Sequence, residues 1–78
     1  MSIDANTADF ETAIKYSTTD AHLRQVVRDM STAFEIPEPQ VCWWEYAQQY
    51  MDDEPDYAAL LIQAGVRSDI INGQEIVL

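Results

Sequence analysis

The chain has 78 residues, the length of one small domain (1–78), and a formal net charge of −10 from 14 acidic and four basic residues. This balance argues against nucleic acid and anionic membranes as direct partners, because both are bound through basic patches. A single cysteine cannot form an internal disulfide, and the N-terminus lacks the apolar segment of a signal peptide. The sequence therefore predicts a cytoplasmic protein.

The first half of the chain predicts two helices. Residues 1–6 are polar and are expected to be a frayed start, with Asn6 capping a helix that ends near Tyr16. The run Ser17-Thr18-Thr19-Asp20 then predicts a second helix start. The apolar stripe of that second helix recurs at helical spacing and consists of Leu23, Val26, Val27, Met30 and Phe34.

A third helix is predicted from Gln40 to Met51. Pro37 and Pro39 are expected to end the second helix, and Pro39 also suits the first turn of the third. The apolar side of this helix carries both tryptophans, which we expect to be the main contributors to the core. With them lie Ala47, Tyr50 and Met51, and Tyr46 widens the apolar arc.

The last third of the sequence predicts a helix followed by strands. Pro55 is placed to open the helix and Gly65 to close it. Asn72-Gly73 between β-prone residues predicts a hairpin of residues 66–71 and 74–78, and the alternative is a short helix from Ser68 followed by one strand. The predicted fold class is mainly α (α+β): a compact bundle of about four short helices with a C-terminal β-hairpin around Asn72-Gly73.

Catalytic and metal sites are not predicted. Cys42 and His22 are the only residues of their types, and the sequence places no cation near the cysteine to stabilise a thiolate. Ser17, Asp20 and His22 share one helix start, where the serine and the acid have capping roles. The acids after Met51 lack the glycine and glutamate of a calcium loop. We therefore expect no enzyme activity, no metal and no cofactor.

The strongest functional pattern is a block without basic residues. From residue 29 to residue 66 there are eight acidic residues and no lysine or arginine, interleaved with tryptophans and tyrosines. Aromatic anchors ringed by charge are typical of protein interfaces. A spaced array of carboxylates can also stand in for a nucleic-acid backbone, so the predicted partner is the basic surface of a nucleic-acid-binding protein or complex.

In size, acidity, lone cysteine and lack of catalytic groups, the chain resembles the small anti-defence proteins of phages and mobile elements, such as anti-CRISPR and anti-restriction proteins. The resemblance implies a non-enzymatic inhibitor that binds a host defence complex in the host cytoplasm. The alternative is a small homo-oligomeric or regulatory interaction module, in its simplest form a homodimer, that uses an exposed aromatic helix face. The predicted partner-binding residues are Glu35, Glu38, Glu45, Asp52, Asp53, Glu54 and Asp56, with Tyr46 and Tyr50 as aromatic anchors.

Overall fold

The structure is a computed structural model that describes residues 7–76, with side chains up to residue 73. It is a bundle of four helices: α1 (Thr7–Lys15), α2 (Asp20–Ala33), α3 (Trp43–Gln49) and α4 (Pro55–Ile76). The expectations for the frayed start, for Asn6 and for residues 77–78 lie outside the described residues. The helical bundle and the four-helix count within the described range agree with the sequence prediction.

The start of α2 is the one that the sequence predicts. Thr19 is the N-cap, and its Oγ1 accepts a hydrogen bond from the backbone N–H of His22 at 3.1 Å. Asp20 in the first turn also lies 3.7 Å from Arg24, as the i,i+4 spacing suggests. The stripe beyond it is buried, apart from Phe34, which is half-buried at the end of the helix.

The end of α2 comes before the prolines. Glu35 adopts a left-handed conformation with φ 58°, directly after the C-cap residue Phe34. The Glu35 N–H then bonds the Thr32 carbonyl at 3.1 Å, and the Ile36 N–H bonds the Ser31 carbonyl at 2.9 Å. This pattern is a Schellman motif, which satisfies two carbonyls of the last turn. It ends the helix locally, so the prolines only follow it.

Helix α3 is shorter than the sequence predicts, and only one of its two tryptophans packs against the core. Residues 37–42 are irregular, and Cys42 occupies the N-cap position. Trp43 is partly buried against the core and Ala47, four residues later, is fully buried. Trp44 lies about 100° further round the helix and remains 56% exposed. The expectation that both tryptophans are core residues is therefore wrong for Trp44.

The predicted C-terminal hairpin is wrong, because α4 continues as one helix from Pro55 to Ile76. Neither Gly65 nor Gly73 has a positive φ, so Gly65 does not close the helix and Asn72-Gly73 does not form a type I′ turn. The buried positions explain why. Ile71 is 2% exposed and extends at helical spacing the face that also buries Tyr57, Leu60, Leu61 and Ala64. Packing of that face outweighs the local turn preference. The alternative of a strand after Ser68 is wrong over the described residues for the same reason.

Tyr57 lies at the centre of the bundle and is fully buried. Its hydroxyl shares a hydrogen bond of 2.8 Å with Ser31 Oγ, so both buried oxygens are satisfied. Its ring makes edge-to-face contacts with Phe34 and Tyr50 at centroid distances of 5.5 and 5.6 Å. These contacts join the start of α4 to α2 and to the end of α3, which fixes the turn between α3 and α4.

Candidate partner-binding surface

The turn between α3 and α4, together with the first turn of α4, carries four exposed acidic residues, which we call the acidic junction: Asp52, Asp53, Glu54 and Asp56. Its backbone is hydrogen-bonded at both ends. The Glu54 N–H donates to the Tyr50 carbonyl at 2.8 Å, and the Ala58 N–H donates to the Glu54 carbonyl at 3.0 Å. The half-buried Tyr50 and the buried Tyr57 flank the turn. The carboxylates therefore project from a backbone that the core holds in place.

Part of this charge has a structural role. Glu54 precedes α4 and its carbonyl accepts the first helical hydrogen bond, while Asp56 lies in the first turn. Negative charge at a helix N-terminus is stabilised by the helix dipole, typically by about 0.3–1 kcal/mol. Asp52 and Asp53 precede the helix, and their exposed carboxylates are the better candidates for contact with another molecule.

The other three predicted acids lie apart from the junction in the sequence and differ in their surroundings. Glu35 occupies the left-handed position after α2, and Glu45 is exposed in the first turn of α3. Glu38 lies 3.5 Å from Arg28, which immediately precedes the acid-only block. One acid of the block is thus paired with a base that folding brings to it.

Tyr46 and Tyr50 are half-buried and connect the irregular segment 37–42 to the core. Tyr46 Oη donates a hydrogen bond of 2.7 Å to the Pro37 carbonyl, which holds the irregular segment against α3. The rings of Tyr46 and Tyr50 meet edge to face at 5.2 Å, and Tyr50 meets Tyr57 in the same way. Burial, together with the neighbouring Tyr50 hydroxyl, raises the pKa of Tyr46 to about 12. Both side chains are therefore engaged within the chain.

A groove that the sequence reasoning missed lies between α2, residues 38–44 and α4. We call it the Trp44 groove; its volume is about 710 Å³, and its exposed apolar side chains are Val41, Trp44 and Val66. Cys42 lines this groove and His22 does not. The signal in the sequence was the spacing of Ile62, Val66 and Ile70, which puts apolar residues on a second face of α4. The prediction that the helix ends at Gly65 places Val66 and Ile70 outside it, so the second apolar face does not follow from that prediction.

The described residues form neither a metal cluster nor a membrane span. No cluster of three or more histidine, cysteine, aspartate or glutamate side chains there is arranged to hold a metal ion. None of the described helices has both the length and the apolar character needed to cross a membrane. No family model, curated protein or solved structure matches this chain.

Proposed function

We propose that this chain is a non-enzymatic inhibitor that binds a basic protein surface through the acidic junction. The supporting observation is the junction itself, with four exposed acidic residues within five positions, at the turn before α4 and in its first turn, where backbone hydrogen bonds anchor the chain. A backbone held in place before binding loses little conformational entropy when its side chains meet a complementary surface. The partner class that fits is a protein with a groove of lysine and arginine residues that normally holds phosphates.

The interaction that we propose has a specific setting. A basic groove of this kind belongs to nucleic-acid-binding proteins, and the inhibitor would occupy it as a nucleic-acid mimic. A CRISPR-type host defence complex in the host cytoplasm is the setting that follows from the resemblance to anti-defence proteins. The net charge of −10 supports rapid, electrostatically steered association with such a target.

The test begins with capture of proteins from a host extract on the immobilised chain, at low and at high salt. A captured basic protein should be released by salt and by added duplex DNA, because both compete for the same cationic groove. The double variant Asp52→Lys/Asp53→Lys should bind that protein roughly 30-fold or more weakly, since each reversal places like charges in contact. It leaves Glu54 and the helix start intact.

The matched control is Asp9→Lys/Asp29→Lys, which makes the same change in net charge at two exposed acids outside the junction. It should reduce binding far less. If the captured protein withstands high salt and DNA, or if the two double variants bind equally well, the acidic junction is not the binding surface.

The alternative module that uses the aromatic face of α3 has less support. The Tyr46 and Tyr50 side chains are half-buried, and their hydroxyl and ring contacts are made inside the chain. Self-association through those two tyrosines would require these contacts to be exchanged.

A further inference from the structure

Helix α4 has apolar residues on two faces: one lies in the core, and of the other only Ile62 packs against the core. The second face carries Ile62, Val66 and Ile70 at i, i+4 and i+8, which we call the α4 ridge. Ile62 is half-buried, whereas Val66 and Ile70 are exposed. A helix that is apolar on both sides is normally covered on both sides. A chain of this length also buries too little surface alone to cover it.

The ridge separates two grooves. Ile62 and Val66 line the Trp44 groove on one side and a second groove, between α1 and α4, on the other. A two-fold symmetric interface needs a surface that carries both a projection and the recess that receives it. Ridge and groove lie side by side here, so the ridge of one copy fits the groove of another, in the packing class in which i±4 rows of two helices interdigitate.

The surface formed by the α4 ridge and the two grooves differs from the rest of the molecule in its charge. All four basic residues of the chain line the two grooves: Arg24 and Arg28 in the Trp44 groove, and Lys15 and Arg67 in the second. Among the described residues, the acids that line the grooves are also four, namely Glu11, Asp20, Glu38 and Asp69. The formal charges of this face therefore balance, although the chain as a whole carries −10.

Gly65 is an independent indication of close approach. It lies in the middle of α4 and lines the Trp44 groove, and a Cβ added there would meet no described residue within 4 Å. A glycine in a helix interior destabilises the helix relative to alanine, and no contact in the described part of the chain requires it. A half-buried glycine in a groove beside an apolar ridge leaves room for a second helix to pack closely.

We propose that the α4 ridge and the Trp44 groove form the interface of a homodimer, with a second copy of this chain as the occupant. The balanced charge singles out a second copy, because two chains of net charge −10 repel each other everywhere except where local charge cancels. This inference is independent of the acidic junction, and the dimer leaves the junction free.

The test is sedimentation velocity over a wide range of protein concentration. The wild-type chain should form dimers as concentration rises. Added salt should tighten them, because it screens the remaining acids of the two copies. Binding through the acidic junction weakens with salt, so the two proposals predict opposite salt effects.

Two variants probe the interface and one serves as control. Val66→Glu should raise the dimer dissociation constant about 30-fold or more, because it buries an unpaired charge in the apolar contact. Met51→Glu is matched to it: Met51 is 45% exposed, lines neither groove, and should leave dimerisation unchanged. Gly65→Ala should raise the dissociation constant while raising the melting temperature of the dilute monomer, and circular dichroism reports whether each variant is folded.

A wild-type chain that stays monomeric at every concentration overturns the proposal. So does a folded Val66→Glu variant that dimerises as well as Met51→Glu.

Discussion

Glu35 has a backbone conformation that its residue type disfavours. Its φ of 58° is the left-handed conformation in which a Cβ is unfavourable and glycine is preferred. The Schellman hydrogen bonds and the burial of Ile36 hold it there. Glutamate at this position gives no sequence signal of a helix end, so the sequence predicts that the prolines end α2.

Replacing Glu35 with glycine should therefore stabilise the fold. Relief of the Cβ contact is partly offset by the greater entropy of glycine in the unfolded chain, leaving a gain of about 0.5–1 kcal/mol in the free energy of unfolding. Urea denaturation measures it. Glu35→Ala removes the same charge but keeps the Cβ, so it should remain near wild type. Equal stabilisation by both variants would attribute the effect to charge.

Two tyrosines make the stability sensitive to alkaline pH. Burial raises the pKa of Tyr57, although the Ser31 hydrogen bond acts in the opposite direction, and burial raises that of Tyr46 to about 12. A phenol whose pKa is higher in the folded than in the unfolded state adds stability that is complete below pH 10.0, its unfolded value, and is lost as pH rises through the folded value.

The free energy of unfolding should thus fall above about pH 10, and the fall should be smaller in Tyr57→Phe, which lacks the buried phenol. Urea denaturation between about pH 9 and about pH 11.5 measures this dependence. Parallel profiles for the wild type and Tyr57→Phe would show that the buried hydroxyl does not contribute.

At the scale of elements, the helices set by local chemistry were predictable from the sequence, and the one set by packing was not. The helix start within Ser17-Thr18-Thr19-Asp20 and the stripe from Leu23 to Met30 are local signals, and both are confirmed. Asn72-Gly73 is also a strong local signal, yet Ile71 reaches the core only if the helix continues. The burial of Trp43 and the exposure of Trp44 depend on which side of α3 faces α4, which spacing within a seven-residue helix does not determine.

The helical state of Gly73 has its own test. Gly73→Ala should raise the free energy of unfolding by about 0.5–1 kcal/mol, because alanine favours a helix and the added Cβ meets no described residue within 4 Å. In a type I′ turn, which requires positive φ at this position, the same change would destabilise the protein. Urea denaturation distinguishes the two, and a loss of stability would contradict the continuous α4.

At the scale of the whole molecule, charge is unevenly distributed. The four bases line the grooves beside the α4 ridge, and the acidic junction lies in the block of sequence that has no base. The acid-only block was visible in the sequence. The balance of charge around the α4 ridge and its two grooves was not visible, because it depends on folding. The basic residues there come from three different helices: Lys15, Arg24, Arg28 and Arg67.

The central claim is that the acidic junction binds a basic protein surface. Its most direct test is calorimetric titration of the captured protein with the wild-type chain and with Asp52→Lys/Asp53→Lys over a series of salt concentrations. Wild-type affinity should fall steeply with salt, and the double variant should bind roughly 30-fold or more weakly with a shallower salt dependence. Equal affinity and equal salt dependence for the two chains would contradict it.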